Sequence, residues 1–395
     1  MRVAGELHLG SLGLDRGGTL LIKRALRGLP VGDALRVYGQ DPNLGLMLGA
    51  WCRGQGHGLA IEDGALIVTR GGALDGRWRG AARAGEAPPS GVVARPPPSW
   101  GLAARGATVE AGAPAFRFRL SEKDLVWTDD APRLYAAAAA AQWDPATAIP
   151  WDAPFELPDE VEDAVVQVMS YLIENETAAL LVPARFLAQV HPHFREILQL
   201  LAIQAADEAR HIEVFTRRAL LRRASMGLST ASGQASLKTL LDEPDFALAT
   251  LLLSVLGEGS FLSLLRFLAE HAPDPVTMEV ARLSAIDEAR HVAFGLSHLA
   301  RHVERDPELR PRLAAAIRGR HDALRETAGL NEEVFDALLL LAAGAFDPDA
   351  VARGWDRVVA LQQDMDLGRQ IRLRRLGFSE QEAAELSILH TRNFM

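Results

Sequence analysis

Cysteine is nearly absent from this chain, since Cys52 is the only one among 395 residues. One thiol excludes an intramolecular disulfide framework and any cysteine-rich zinc site. A secretory signal is also missing, because the N-terminal sequence MRVAGELHLGSLG has no apolar core behind a basic start. We therefore expect a protein of a reducing, cytoplasmic compartment.

Apolar runs long enough to cross a membrane without interruption are missing too. The nearest approach is ALATLLLSVLGEGSFLSLLRFL at 247–268, which carries Glu258 at its middle and Arg266 near its end. A charged side chain at the centre of a bilayer is costly. The segment instead predicts a helix buried on all sides of a folded protein, and no membrane partner is expected.

Positive charge is not arranged as in nucleic-acid-binding proteins. Residues 1–119 carry 15 Lys and Arg against 9 Asp and Glu, a balance of +6, so the remainder must carry −15 to give the net charge of −9. The arginines of 1–119 are scattered among Gly, Ala and Pro, which argues against nucleic acid as a partner. A hydrophobic content of 48% is typical of a globular protein, and the length and uneven charge predict more than one domain.

Residues 1–75 predict a small α+β domain with the element order β-α-β-α-β-β. The predicted elements are, in order, HLGSLGL, GGTLLIKRALRGL, ALRVYG, NLGLMLGAWCRGQ, GLAIED and ALIVTR. Residues 76–119, which include ARPPPSW, are rich in Gly, Pro, Ala and Arg. That composition predicts a linker or an irregular surface segment.

An internal repeat dominates residues 120–305. RFLAQV at 185–190 is followed by a break and then ADEARH, and RFLAEH at 266–271 is followed by a break and then IDEARH. Each half predicts two helices with a short connection, and two such hairpins make a four-helix bundle. Residues 306–395 predict further amphipathic helices, which pack on the bundle or on a second subunit of a homodimer.

The motif DEARH occurs twice, at 207–211 and 287–291. On a helix, Glu208 and His211 are three residues apart and project from one face, so both side chains can bind the same metal ion or neighbouring ones. The same spacing relates Glu288 and His291. One copy alone is more typical of a solvated salt-bridge face, but two copies 80 residues apart favour a metal site.

Each hairpin also needs a carboxylate on its first helix. Glu258 precedes Glu288 by 30 residues and lies in the apolar segment described above, where an unpaired carboxylate would be costly to bury. For the first half, LIENETAALL offers Glu174 and Glu176. Aligning the halves on RFLA selects Glu176, nine residues before Arg185, as the counterpart of Glu258, eight before Arg266. Glu174 is expected on a different helix face.

Four carboxylates and two imidazoles from four helices predict a site for two metal ions, and the fold class is mainly α, a ferritin-like bundle with a C-terminal helical extension. Hard carboxylate ligands favour two iron ions, with manganese or a mixed Mn/Fe pair as the alternative. The predicted ligands are Glu176, Glu208, His211, Glu258, Glu288 and His291, and the four glutamates are also the predicted catalytic residues. Asp207 and Asp287 are expected to accept a hydrogen bond from the histidine of the opposite motif.

Other polar residues near the motifs receive structural roles. Arg210 and Arg290 are expected to pair with acids between helices, and Tyr171 is expected to pack in the core rather than act in redox chemistry. Four histidines lie near helix ends or off the motif face, and capping or surface roles are predicted for them. These are His191, His193, His271 and His298.

At its metal motifs the chain resembles the ferritin-like di-iron oxygenase superfamily, in particular its aminobenzoate N-oxygenase-type branch. The resemblance covers roughly 125–305 and implies the same six ligands. Arylamine N-oxygenases of that type have an additional histidine ligand one turn before the second motif's glutamate, where this chain has Ser284. Amine N-oxygenation is therefore not carried over from the resemblance.

The N-terminal 75 residues resemble the small TusA-like sulfur-carrier fold, most clearly in ALRGLPVGDALRVYGQDPNLGLMLGAWCRGQGHGL. That family carries persulfide on a Cys-Pro-x-Pro motif at the start of the first helix. This chain has LDRGGTLLI there, which excludes sulfur transfer by that route. The resemblance implies a docking or lid module, and a structural role is expected for Cys52.

These features predict a non-haem di-iron oxygenase or oxidase that uses dioxygen to hydroxylate, N-oxygenate or desaturate a small organic substrate. No dinucleotide-binding fingerprint is present, so an external reductase or small reductant must supply electrons. The alternatives are a ferroxidase or iron-binding protein, a radical-generating subunit that would need a tyrosine such as Tyr171, and a non-catalytic bundle in which metals only stabilise an interaction module.

Overall fold

A computed structural model describes residues 2–73, 75–325 and 332–390. The chain divides into two compact units. The N-terminal unit comprises Met1–Ala84 and Ala107–Pro114, and the helical unit comprises Gly85–Gly106 and Ala115–Met395. Residues 76–119, predicted as a linker, are therefore divided between the two units.

The N-terminal unit contains the predicted order of strands and helices. Its main elements are β1 (Val3–His8), α1 (Gly18–Arg27), β2 (Ala34–Tyr38), α2 (Leu44–Gln55), β3 (Gly58–Glu62) and β4 (Ala65–Thr69). The sheet order is β1-β2-β4-β3, in which β1 and β2 are parallel and the other pairs antiparallel. Short strands β5 (Ala82–Arg83) and β6 (Thr108–Val109) form a separate antiparallel pair.

The position of the first strand was predicted wrongly. HLGSLGL was expected to be extended, but the strand occupies Val3–His8 and a single 3₁₀ turn follows at Leu14–Arg16. The glycines of this segment suit turns, and Gly10 has a φ of 57° that favours glycine. The tight connection between β3 and β4 follows the expected turn chemistry, because Asp63 and Gly64 both have positive φ.

Cys52 packs inside the N-terminal unit with Leu48 of the same helix, and only 1% of it is exposed. Burial raises the pKa of its thiol to about 11, so roughly one thiol in a thousand is ionised at pH 8. We expect an aromatic disulfide reagent at pH 8 to label the native protein far more slowly than the protein in guanidinium chloride. Rapid labelling of the native protein would contradict this structural role.

The helical unit confirms the predicted mainly α fold. Its elements up to the end of the repeat are α3 (Lys123–Val126), α4 (Ala131–Ala140), α5 (Asp159–Leu187), α6 (Arg195–Ala219), α7 (Ala231–Asp242), α8 (Phe246–Thr250), a π-helical segment (Leu251–Glu258), α9 (Gly259–Glu270) and α10 (Pro275–Arg305). Helices α5 and α6 form the first hairpin. The second hairpin consists of α8, the π-helical segment and α9, followed by α10.

Sequence signals fix the start of the last bundle helix. Asp274 caps α10 by accepting a hydrogen bond from the backbone N–H of Thr277 at 2.8 Å, and Pro275 occupies the first helical position, where its missing N–H is not needed. The repeat thus folds as two antiparallel helix pairs, which bring both DEARH motifs into the interior of one bundle.

The apolar segment around Glu258 is buried as predicted. Helical structure is continuous over Phe246–Glu270, and this stretch is the one candidate membrane span, by length and composition only, among the described residues. Of its most apolar window, 83% is buried inside the protein. The sequence did not predict the π-helical segment, a rare widened turn that often occurs at functional sites.

In the described part of 306–395, four helices follow the bundle, as the amphipathic pattern predicted. They are α11 (Leu309–Leu324), α12 (Glu332–Ala343), α13 (Pro348–Arg375) and α14 (Glu380–Ile388). Helix α12 packs on α5, and α13 packs on α9 and the π-helical segment. The predicted helical residues at 326–331 and 391–395 lie outside the described part of the chain.

The prediction of surface or capping roles was wrong for His191, His193 and His298, which are at most 3% exposed. His193 accepts a hydrogen bond from the backbone N–H of Val93 through Nε2, at 3.0 Å. The ring of His298 lies 5.1 Å from that of Phe246. Aromatic neighbours make these imidazoles part of the core, and burial lowers the pKa of each one.

Candidate metal centre

The six residues predicted as metal ligands converge in the interior of the bundle, and none is more than 4% exposed. They form two overlapping groups whose potential ligand atoms lie within 4.8 Å of one another. The first metal group is Glu176, Glu208, His211 and Glu288. The second metal group is Glu208, Glu258, Glu288 and His291. Glu208 and Glu288 belong to both.

Each half of the repeat supplies its ligands from two helices. Glu176 lies on α5, and Glu208 with His211 lies on α6. In the second half, the π-helical segment ends at Glu258, while Glu288 and His291 lie on α10. Glu174 is half-buried and is not in either group, so the structure brings Glu176 rather than Glu174 to the cluster.

The two shared glutamates each direct one oxygen to each histidine. Nδ1 of His211 lies 3.2 Å from Oε2 of Glu208 and 3.4 Å from Oε1 of Glu288. Nδ1 of His291 lies 3.0 Å from Oε1 of Glu208 and 3.5 Å from Oε2 of Glu288. If two metal ions were bound beside the two histidines, both glutamates would be placed to contribute to each of them.

The remaining two glutamates each lie near one of the two histidines. Oε2 of Glu176 lies 3.7 Å from Nδ1 of His211, and Oε1 of Glu258 lies 3.9 Å from Nδ1 of His291. Each of the two metal groups therefore contains one histidine, one glutamate of its own and one oxygen from each shared glutamate. This donor set is nearly the same for the two halves, as the sequence repeat predicts.

Several atoms of the cluster have no hydrogen-bond partner in the described part of the chain. They are Oε1 of Glu176, Oε1 of Glu208, Oε2 of Glu258, both carboxylate oxygens of Glu288 and Nδ1 of His291. Buried polar atoms without partners are costly, and so many in one place require an explanation. Two divalent cations would be ligated by these same atoms, so the residues present fit a dinuclear site.

The electrostatics of the cluster agree with this fit. Burial, together with the charges of Glu208 and Glu288, raises the pKa of Glu176 well above its ordinary value. Burial and the charge of Glu288 do the same to the pKa of Glu258. A raised pKa favours the protonated form of both carboxyl groups. Binding of metal ions to these carboxyl groups would therefore release protons.

Each histidine is oriented by the aspartate of the other motif. Nε2 of His211 lies 3.2 Å from Oδ2 of Asp287, and Nε2 of His291 lies 3.3 Å from Oδ2 of Asp207. This crossed arrangement is the one expected from the sequence. A hydrogen bond at Nε2 leaves Nδ1 of each ring to face the cluster as a ligand atom.

The two aspartates are held in turn by arginines, as expected. Arg210 donates hydrogen bonds through Nη2 to Asp207 at 2.5 Å and to Asp287 at 2.8 Å, and Arg290 bonds Asp287. Although burial opposes it, the hydrogen bond and charge of His211 hold the pKa of Asp287 below its ordinary value. Both aspartates therefore remain good acceptors for the histidine N–H groups.

Sequence reasoning missed two residues that follow α4. Gln142 donates to Oδ1 of Asp207, and the indole Nε1 of Trp143 donates to Oδ2 of Asp287, both at 2.8 Å. The guanidinium of Arg210 lies 4.6 Å from the centre of the Trp143 ring. Nothing in the local sequence separates Gln142 and Trp143 from ordinary loop residues, because the aspartates that they contact are at least 65 residues away.

A third missed residue is Gln204, which donates through Nε2 to Oε1 of Glu258 at 2.8 Å. It precedes Glu208 by one helical turn, so its position on the motif face was a usable signal. Ser284 occupies the equivalent position before Glu288. It is fully buried, and its hydroxyl has no hydrogen-bond partner among the described residues.

Tyr171 occupies the core position that was expected. It is 7% exposed, and its ring stacks on that of Phe261 with the centroids 5.9 Å apart. Burial raises the pKa of its hydroxyl well above the ordinary value.

A small, mainly apolar cavity of about 30 Å³ adjoins the cluster. Its apolar wall includes Leu237, Leu240, Leu252, Leu253 and Phe261. Glu176, Glu258 and Glu288 face it from the cluster, and Asn175 and Arg320 add polar groups. An apolar lining with a few polar groups is typical of small-molecule sites, which are usually larger than this cavity.

The fold and the site together define a helical bundle with two adjoining carboxylate and histidine groups. No protein-family model matches the chain, and no curated protein matches it in sequence. Among solved structures, the chain is similar to an R2-like ligand-binding oxidase from Sulfolobus acidocaldarius, at 16% identity over 64% of this chain and 93% of that one, with a TM-score of 0.41.

Two other similar structures are variants of an R2-like ligand-binding oxidase. One has an aerobically reconstituted Fe/Fe cofactor and is 18% identical over 64% of this chain and 95% of that one, with a TM-score of 0.47. The other has an aerobically reconstituted Mn/Fe cofactor and is 17% identical over 65% and 94%, with a TM-score of 0.42. Similarities of this size carry no argument about this chain. The resemblances to aminobenzoate N-oxygenases and to TusA-like carriers stay predictions.

Proposed function

We propose that the helical unit binds two iron ions and is an oxygenase or oxidase that uses dioxygen to oxidise a small organic substrate. The observation that carries this proposal is the pair of shared glutamates, Glu208 and Glu288, each with one oxygen toward each histidine. Hard oxygen donors with one imidazole per ion suit iron, and manganese or a mixed Mn/Fe pair would suit the same donors.

When bound, a ferrous pair supplies the electrons that reduce dioxygen and the oxidising power that acts on the substrate. The chain's own residues bind the metal ions and orient the side chains that hold them. Glu176 and Glu258 each bind one metal position and also face the cavity. Asp207 and Asp287 fix the two imidazoles, and the leucines of the cavity wall exclude water from the reacting groups.

The apolar lining of the cavity, rather than its size, supports oxidation of an organic molecule over iron storage, which remains the alternative. Its wall is mainly apolar, and that surface suits carbon atoms better than hydrated ferrous ions. Because the chain has no dinucleotide-binding fingerprint, a reductase or a small reductant is the proposed source of electrons. The substrate itself is proposed only as a small, largely apolar compound.

The test is anaerobic titration of the full-length, metal-free protein with ferrous iron, followed by oxygen. We expect binding to saturate at about two ions per chain, because the site offers two sets of donors. A limited oxygen pulse should then oxidise those ions, and dithionite should restore the ferrous protein for a second pulse. Iron content and oxygen consumption measure the two steps.

A matched pair of variants makes this test specific. Glu176→Gln removes a cluster carboxylate, whereas Glu174→Gln removes one on the same helix outside the cluster. Only the first should lower the iron content. Failure of the unmodified protein to retain iron would contradict the proposal, and iron uptake far beyond two ions per chain under oxygen would favour storage instead.

A further inference from the structure

Two arginines of α13 contact the π-helical segment and the turn that follows it. Arg372 donates a hydrogen bond through Nε to the backbone carbonyl of Val255 at 2.7 Å. Arg369 donates through Nη1 to Oγ of Ser260 at 3.1 Å. Val255 and Ser260 lie on either side of Glu258, so residues of the C-terminal extension hold the backbone that carries this carboxylate.

The approach of Arg372 to this backbone is close. A Cβ atom at Gly259 would lie 2.4 Å from Cζ of Arg372, nearer than carbon atoms can pack. The residue directly after Glu258 must therefore be glycine if Arg372 is to keep its position. Glycine is a poor helix former. Its presence in the first turn of α9 is consistent with a need for space beside the guanidinium of Arg372.

An ordinary salt-bridge anchor does not explain these arginines. The nearest carboxylate contact of Arg369 is Oδ1 of Asp366 at 3.9 Å from Nη2. Nη2 of each arginine has no hydrogen-bond partner in the described ranges. Burial, with the neighbouring charge of Arg369, lowers the pKa of Arg372 to about 9, so a charged side chain is kept here at some cost. Among the described residues, the hydrogen bond that Arg372 makes is the one to the carbonyl of Val255 in the π-helical segment.

Glu258 distinguishes the two metal groups. It belongs to the second metal group and not to the first, whereas Glu208 and Glu288 belong to both. A change confined to the backbone around Glu258 should therefore weaken one metal position and spare the other. A general loss of protein stability would instead weaken metal binding at both positions together.

We propose that Arg372 is a positioning residue for Glu258, acting through the carbonyl of Val255, and that it sets the affinity of the second metal group alone. The inference rests on the proposed function, since it requires two metal ions. A helical segment with widened turns has fewer favourable backbone contacts of its own, so an external donor at Val255 fixes its conformation. Arg369 supports the same turn through Ser260.

The experiment is anaerobic calorimetric titration of the metal-free, full-length protein with ferrous iron, comparing Arg372→Met with the unmodified chain. We expect the first binding step to be unchanged and the second to weaken by about 10- to 100-fold, the usual effect of losing a partner that orients a ligand. Arg372→Lys keeps a donor for the Val255 carbonyl and should restore part of the second step. Arg375→Met, an exposed change on the same helix, should alter neither step.

A second variant keeps the inference testable if Arg372→Met folds poorly. Gly259→Ala displaces the guanidinium without removing it, and alanine favours the helix more than glycine does. A selective loss of the second step in this variant therefore cannot come from a weaker helix. Thermal unfolding of both metal-free variants checks the fold.

The outcomes separate the inference from the proposal on which it rests. Two unchanged steps in both variants, or equal weakening of both steps, would overturn the role of Arg372 while leaving the dinuclear site in place. Absence of ferrous binding by the unmodified protein would overturn both.

Discussion

Glu208→Gln is expected to abolish binding at both metal positions. Glu208 contributes Oε2 to the first metal group and Oε1 to the second, so no other single change, apart from the equivalent one at Glu288, removes a donor from both. The loss in affinity should exceed the roughly 10- to 100-fold that outer-shell partners cost, and metal content after gel filtration should fall from about two ions per chain to nearly none.

The metal-free form of the same variant is expected to be less stable than the unmodified protein. Although burial opposes it, the charge of His291 and the hydrogen bond with His211 hold the pKa of Glu208 below its ordinary value. Removing its charge takes away the carboxylate that lies 3.2 Å from Nδ1 of His211 and 3.0 Å from Nδ1 of His291. Glu176→Gln is the matched comparison, because it should weaken the first metal group only. Retention of two ions by Glu208→Gln would exclude a bridging role.

The largest effect on stability is expected from Arg218→Met. Arg218 is completely buried and bonds Oε1 of Glu162 at 2.6 Å, Oδ2 of Asp274 at 2.7 Å and Oγ1 of Thr277 at 2.7 Å. It thereby joins α5, α6 and the start of α10. Its removal leaves two buried carboxylates without their counter-charge, and breaking such a network costs about 3–5 kcal/mol.

Chemical denaturation monitored by circular dichroism measures this loss of stability. Arg223→Met is the control, since Arg223 pairs with Asp159 and Asp163 at the exposed surface near the same helices. Surface ion pairs contribute little, so only a small change is expected there. Equal effects of the two variants would mean that the buried network does not hold the bundle together.

The sequence predicted much of the site because the relevant information is local or repeated. The spacing within DEARH places Glu208 and His211 on one helix face wherever the helix lies. The repeat then relates Glu176 to Glu258, since both precede RFLA by nearly the same number of residues. The contacts of Asp207 and Asp287 with the histidine of the opposite motif could also be predicted, because the two motifs must face each other across the bundle.

What the sequence did not predict depends on contacts between distant segments. Gln142 and Trp143 act through partners on α6 and α10, and no local period marks them. The buried histidines His191 and His193 depend on aromatic neighbours and on the backbone of Val93. The π-helical segment likewise contacts α13, which lies about 100 residues later in the chain.

The crossed hydrogen bonds between motifs have a consequence for how the proposed metal ions would be bound. Each helix pair supplies the acceptor that fixes the other pair's imidazole, at 3.2 and 3.3 Å, and each shared glutamate serves both positions. Neither helix pair contains all the donors of either metal group. On the proposed function, a fluctuation that parts the hairpins would weaken binding at both metal positions, whose affinities can still differ.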